Sequence, residues 1–250
     1  MFLMSARSIR NRVGRLIVAT VFMTSTIGLV GVSPAAAEWD NFSIEKITSW
    51  DPTIPDMNNG HSENPVTSAD GRYVAFQSGA SNLVEGDTND ATDIFVLDRE
   101  TDTITRVSVA TDGTQSDSSS YNPTISADGT VVAFQSYATN LVVGDTNGDT
   151  DVFVRDMDSG TTALASIATD GTQSNNSSYD PTINADGTVV AFQSWATNLV
   201  AGDTNGTSDI FVRATDAGTT VLVSVATDGT QGNYASYDPA ISPDGTVVAF

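Results

Sequence analysis

Asn122-Pro123-Thr124-Ile125-Ser126-Ala127-Asp128-Gly129-Thr130-Val131-Val132-Ala133-Phe134-Gln135-Ser136 returns 58 residues later as Asp180-Pro181-Thr182-Ile183-Asn184-Ala185-Asp186-Gly187-Thr188-Val189-Val190-Ala191-Phe192-Gln193-Ser194. Asn64-Pro65 and Asp238-Pro239 open two further copies at the same spacing. The copies that start at Asn122 and Asp180 share more than 40 of their 58 residues without a gap. A unit of this size cannot bury its apolar faces alone and has to stack against its neighbours.

Four short strands can be read in the second copy: 123–127, 130–136, 151–156 and 161–168. Their β-branched and aromatic content suits strands, and each run is short for a helix. Asp128-Gly129 joins the first two, and the reading expects a type I′ hairpin with positive φ at both residues. Asp70-Gly71, Asp186-Gly187 and Asp244-Gly245 repeat the signal. The second strand is apolar on both sides, with Val131 and Ala133 pointing one way and Val132 and Phe134 the other. A sheet buried on both faces is expected where four-stranded blades pack face to face around an axis. The fold class predicted is all-β, a β-propeller of four-stranded antiparallel blades, incomplete in this chain, with a stacked β-solenoid as runner-up.

At Ile241-Ser242-Pro243-Asp244-Gly245-Thr246-Val247-Val248-Ala249-Phe250, and at the Asp-Ile/Val-Phe-Val runs, the unit resembles the TolB-type, WD-like β-propeller repeat of bacterial exported proteins. The resemblance covers about residues 64–250 and implies a blade, not an activity. The expected organisation is a secretory signal at 1–37 and an N-terminal strand and linker at 38–63. Blades at 64–121, 122–179 and 180–237 follow, and then the start of a fourth at 238–250. Phe250 falls inside a second strand, so the sequence reads as part of a longer chain. Ile44 to Trp50 read as a lone strand able to complete a last blade.

The signal reading rests on Arg7, Arg10, Arg12 and Arg15, the apolar run Leu16 to Val32, and the Ala35-Ala36-Ala37 cleavage pattern. It predicts a secreted chain, extracellular or periplasmic, with no membrane insertion once the signal is removed. The whole chain carries −21, from 10 basic and 31 acidic residues. Four basic residues and no acidic ones lie in 1–37, leaving −25 from Glu38 onward. That charge excludes nucleic acid and anionic surfaces as partners and favours cations. There is no cysteine.

The loop between the second and third strands is the first candidate site. It reads Asp145-Thr146-Asn147-Gly148-Asp149-Thr150-Asp151 in the second unit, with oxygen side chains at every other position. Asp87, Asn89 and Asp93 in the first unit and Asp203, Asn205 and Asp209 in the third keep a sparser version. Such loops resemble the Asp/Asn-rich calcium loops of other exported repeat proteins, and Ca²⁺ takes six to eight oxygens. Thr150 stands where an EF-hand needs Gly, and a strand begins at Val152, so turn-building and capping are the competing reading. Calcium is the cofactor expected.

Gly79, Tyr137 and Trp195 occupy one position just after the second strand. The two aromatics are candidate binding residues for a protein or polysaccharide, with packing between blades as the plainer alternative. Catalytic residues are not expected: His61 is the only histidine, and there is no cysteine and no Gly-x-Ser-x-Gly. The functional expectation is an exported, calcium-stabilised scaffold for protein or polysaccharide. The alternative is the propeller portion of a secreted hydrolase whose catalytic part lies beyond residue 250.

Overall fold

The computed structural model describes residues 59–250, together with two paired three-residue strands, β1 (Val18–Thr20) and β2 (Ser43–Glu45). Residues 1–58 and 59–250 are separate compact units. Apart from β1 and β2, the expected signal and the lone strand at 44–50 lie outside the described residues. No helix among the described residues is long and apolar enough to cross a membrane.

Residues 59–250 are all-β. β3 (Ser62–Thr67), β4 (Tyr73–Ser78), β5 (Asp93–Asp98) and β6 (Thr103–Arg106) form one antiparallel sheet in chain order. β7 (Ser120–Ile125), β8 (Val131–Ser136), β9 (Asp151–Asp156) and β10 (Thr161–Leu164) form the second. β11 (Ser178–Ile183), β12 (Val189–Ser194), β13 (Asp209–Ala214) and β14 (Thr219–Leu222) form the third. β15 (Ala240–Ile241) pairs with β16 (Val248–Ala249). These are propeller blades 1 to 3 and a two-stranded fourth, packed in sequence without closing a ring.

The two-sided second strand explains why the blades stack. Val131 and Ala133 face a core shared with blade 3, which contributes Ile183, Val190, Phe192 and Phe211. Val132 and Phe134 face the opposite core, shared with Ala75, Ile94, Val96 and Val107 of blade 1. Within each blade a phenylalanine pair sits cross-strand: Phe76 with Phe95, Phe134 with Phe153, and Phe192 with Phe211, at 5.8, 5.9 and 6.0 Å between ring centroids. The second pair lies in the core between blades 1 and 2, and the third in the core between blades 2 and 3.

The hairpin differs from the type I′ turn expected. Gly129 has φ 80°, but Asp128 is not among the residues with positive φ. Gly129 N–H donates to Ser126 O at 3.1 Å and Ser126 N–H to Val131 O at 2.9 Å, so a four-residue loop is built around a type I turn. The reason is the Asp128 side chain. Its Oδ1 accepts from Ser126 Oγ at 2.6 Å, Thr130 N at 3.0 Å and Thr130 Oγ1 at 2.8 Å, which holds Asp128 inside the turn. The Ser126 hydroxyl and the Thr130 amide keep its carboxyl below the usual range. The glycine is needed twice over. A Cβ on Gly187 would lie 2.6 Å from Val131 Cγ2 of the preceding blade, on a backbone already at φ 77°.

The first strand also begins earlier than expected, at Ser120 and not at 123, and the fourth ends at Leu164 and not at 168. Proline reads as a strand boundary, but Asn122 takes φ 51° and the register shifts between Tyr121 and Thr124. This bulge carries β7 through Asn122-Pro123 and keeps Ser120 paired with Ser136. After Leu164 the chain leaves β10 to cross the next blade. There Thr220 N–H donates to Thr169 Oγ1 at 2.9 Å and Thr220 Oγ1 to Ile167 O at 2.5 Å. The connector thus covers the open edge of β14, as Thr111 and Val109 do for Thr162 of β10.

Backbone bonds also run from hairpin to hairpin. Ala69 N–H donates to Ala127 O, Ala127 N–H to Ala185 O, and Ala185 N–H to Pro243 O, at 2.8, 2.8 and 2.9 Å.

Candidate functional site

Asp151, the first residue of β9, is fully buried. Its Oδ1 accepts from Ser166 Oγ at 2.6 Å and Ser174 Oγ at 2.7 Å. Its Oδ2 accepts from Asn147 Nδ2 at 2.9 Å and Gln173 Nε2 at 3.3 Å. Ser166 Oγ in turn accepts from Val152 N at 3.1 Å. The carboxylate therefore latches the chain leaving β10 to the start of β9. Asp93 does the same with Ser108 and Ser116, and Asp209 with Ser224 alone, because Gly232 stands where the second serine would be. The serines at 108, 166 and 224 carried this signal in their 58-residue spacing, but they lie in the connectors and outside the acidic loop.

The expected ligand set is brought together in part. Asp145, 9% exposed, accepts at Oδ1 from Gln173 Nε2 at 2.7 Å, the nitrogen that also reaches Asp151. Asn147 turns its NH₂ to Asp151 and Ser174 O, and its oxygen accepts from Asp149 N at 2.9 Å. Asp149 accepts from Ser177 Oγ at 3.3 Å instead of joining the pair. In blade 3, Asp203 and Asp209 share Gln231 Nε2 at 2.7 and 3.0 Å, and Asn205 repeats the Asn147 contacts. Among the described residues, no three His, Cys, Asp or Glu side chains gather as metal ligands. Each loop places two.

Blade 1 is different. Arg106 Nη1 lies 3.0 Å from Asp87 Oδ1 and 3.7 Å from Asp93 Oδ2, and it donates to Gln115 Oε1 at 2.9 Å. The equivalent residues in blades 2 and 3 are Leu164 and Leu222. Asn89 keeps its bond to Asp93 at 2.9 Å. Burial raises the Asp87 carboxyl, and the Asp93 charge adds to this, while Arg106 counters it. Burial likewise raises Asp145 and Asp203; the amides of Gln173 and Gln231, and for Asp145 the Asn147 backbone amide, counter it, while the charges of Asp151 and Asp117 add to it at Asp145 and that of Asp209 at Asp203.

At the same end of the blades, Tyr137 follows β8 and is 49% exposed, and Trp195 follows β12 and is 39% exposed. Each ring is therefore open to solvent over a large part of its surface. Tyr137 touches Tyr121 edge to face at 6.3 Å, which fixes its ring without covering it. In blade 1 the position is Gly79, where a Cβ would meet only Thr92 Oγ1 at 3.8 Å; the close approach there constrains Gly60, whose Cβ would lie 2.5 Å from the Gly79 carbonyl carbon. His61 is exposed, and its carbonyl accepts from Gly79 N at 3.1 Å.

One constellation had no counterpart in the sequence reading. Asn64, Asn122 and Asp180 take φ of 50 to 51° at the bulges of the first strands, and Asp238 takes 52° just before β15. Asn64 Nδ2 donates to Asn122 Oδ1 at 3.0 Å, and Asn122 Nδ2 to Asp180 Oδ1 at 2.7 Å. Asp180 N–H is held by Gln135 Oε1 at 2.8 Å, and Asp238 N–H by Gln193 Oε1 at 3.2 Å. The ladder loses its donor at Asp180. Burial, then the charge of Asp238, raises the Asp180 carboxyl, partly offset by Asn122.

Asp180→Asn is therefore expected to stabilise the fold at neutral pH by about 1 kcal/mol, the worth of one hydrogen bond made in place of a half-buried charge. Because the folded carboxyl is raised, wild-type stability recovers as pH falls through that raised value to the ordinary carboxylate range. The advantage of the variant should shrink over that window. Urea titrations of both proteins at neutral and acidic pH check it, and a constant difference would contradict it.

No protein-family model matches the chain, and no curated protein matches it. Among solved structures it is similar to the putative TolB from Agrobacterium tumefaciens, with a TM-score of 0.51 and 17% identity over 84% of this chain and 58% of that one. It is also similar to the β-propeller domain of the Trilobed protease from Pyrococcus furiosus, at 0.41 and 13% over 66% and 43% of the two chains. TolB from Acinetobacter baumannii follows at 0.30 and 13%, over 76% and 48%. The fold is that of a TolB-type β-propeller. The chain spans 58% of the length of the Agrobacterium protein.

Proposed function

We propose that this chain is an exported, non-catalytic propeller that binds a protein partner through the blade end carrying Tyr137 and Trp195. The observation behind this reading is the exposure of two large rings, 49% and 39%, at one position of adjacent blades. Rings on a rigid sheet offer contact area at little entropic cost, and aromatic anchors dominate interface energies. The partner presents a basic surface, because a chain at −21 steers cations and repels anions. Export rests on the basic and apolar pattern of residues 1–37. A non-catalytic role agrees with a sequence that has no cysteine and whose one histidine is exposed.

Polysaccharide binding is the second reading, favoured by the same rings, which can stack on sugars. A neutral glycan gains nothing from the charge, so salt separates the two. The test is capture and identification of the partner with the full chain, followed by affinity measurement. Tyr137→Ala and Trp195→Ala should each weaken a protein partner by about 30-fold, near 2 kcal/mol, and binding should fall with added salt. Unchanged affinity in both variants would sink the proposal, and salt-insensitive glycan binding would replace it with the second reading.

A further inference from the structure

Arg106 is the feature that separates the three acidic loops. In blade 1 a guanidinium that is 12% exposed sits against Asp87 and Asp93, themselves 3% and 0% exposed. Blades 2 and 3 retain both carboxylates but have leucine at the arginine position. Their pairs are bridged by the neutral amides of Gln173 and Gln231, and the other donors to Asp151 and Asp209 are serine hydroxyls and asparagine amides, none of them charged. Two buried carboxylates without a counter-charge are costly unless a cation joins them.

Blade 3 adds an independent sign. Asp203 is 7% exposed, and its Oδ2 is buried without a hydrogen-bond partner. Its other oxygen shares Gln231 with Asp209, so the orphan atom belongs to the same pair. Ser208 Oγ and Thr207 Oγ1 in that loop, and Thr150 Oγ1 in blade 2, are also buried without partners. Four of the five buried unpartnered side-chain atoms among the described residues lie in the two loops without the arginine, and the fifth is Nε of Arg106 itself.

We infer that blades 2 and 3 each hold a calcium ion between their carboxylate pairs, Asp145/Asp151 and Asp203/Asp209, where blade 1 places the Arg106 guanidinium. The chain then binds two calcium ions and not three. An all-oxygen donor set selects a hard cation, and two carboxylates match a divalent charge. Calcium suits the irregular mixture of carboxylate, hydroxyl and amide oxygens better than magnesium, which demands a near-ideal octahedron. Gln173 and Gln231 turn their amide oxygens to the ion, as Gln115 Oε1 already faces Arg106.

The test is calorimetric titration of the chelator-treated full chain with Ca²⁺, alongside thermal melts in Ca²⁺ and in KCl of equal ionic strength. Two sites are expected, with a rise of about 10–20 °C at a hundredfold excess over the dissociation constant, and no comparable rise in KCl. Leu222→Arg, which gives blade 3 its own guanidinium, should leave one site. Arg106→Leu should give three. If either variant fails to fold, the wild-type count still decides. No binding, one site or three in the wild type, or an unchanged count in a folded Leu222→Arg protein, overturns the inference.

Discussion

Phe153→Ala should cost the folded state about 4 kcal/mol, in the range found when a fully buried phenylalanine is truncated. Phe153 has no exposed surface, stacks on Phe134 at 5.9 Å, and belongs to the core that blade 2 shares with blade 1. The surrounding side chains come from two sheets, each held by its own ladder, so neither can move in to fill the space. The loss is therefore not confined to blade 2. It loosens the seam between two blades, whose stacking is the only way either buries its apolar faces. A domain with a margin of about 5–15 kcal/mol would lose a large part of it. Urea unfolding of wild type and variant checks this, with Tyr137→Ala as a surface control expected within about 0.5 kcal/mol. A loss below about 1 kcal/mol for Phe153→Ala would show that the seam adds little.

Asp151→Ala should be comparably damaging, by about 3–5 kcal/mol, for a different reason. The carboxylate accepts four hydrogen bonds, from Ser166, Ser174, Asn147 and Gln173, without exposure to water. Alanine leaves those donors buried and unpaired, and each such group carries a penalty of about 1–3 kcal/mol. Asp209→Ala should cost about 1 kcal/mol less, because Gly232 removes one serine donor from that latch. The comparison is made in chelator, so that any bound cation drops out of the difference. Equal losses at the two positions would mean that the serine bonds contribute nothing measurable.

The propeller was legible because its evidence is periodic. The two-faced strand Val131 to Phe134 and the Asp-Gly signals at one spacing fixed the blade count and the faces of the core. Turn type and strand ends were not legible, for identifiable reasons. Asp-Gly suits several hairpins, and the choice depended on where the Asp128 side chain found its donors. Asn-Pro looked like a strand boundary because positive φ at Asn122 leaves no mark in a sequence. The acidic loops were visible as loops, but their inner arrangement was not. Which Asp is buried depends on serines some 15 and 23 positions away. That Arg106 reaches Asp87 follows from the pairing of β6 with β5, which spacing alone does not convey.

The inter-blade contacts make the blades interchangeable parts. Asn64 holds Asn122 as Asn122 holds Asp180, and Gln77 grips the Asn122 amide as Gln135 grips that of Asp180. The backbone bond from Ala69 to Ala127 is matched by that from Ala127 to Ala185. Excising residues 122–179 would bring the donors of blade 1 to the same acceptors in blade 3. Gly187 would meet Tyr73, against which Gly129 already packs. A gene encoding such joints can gain or lose a blade by recombination between its own near-identical segments, and no junction has to be redesigned. The number of blades is thus open to inheritance as a number of copies, while single positions such as 79, 137 and 195, which carry Gly, Tyr and Trp, are free to differ from copy to copy.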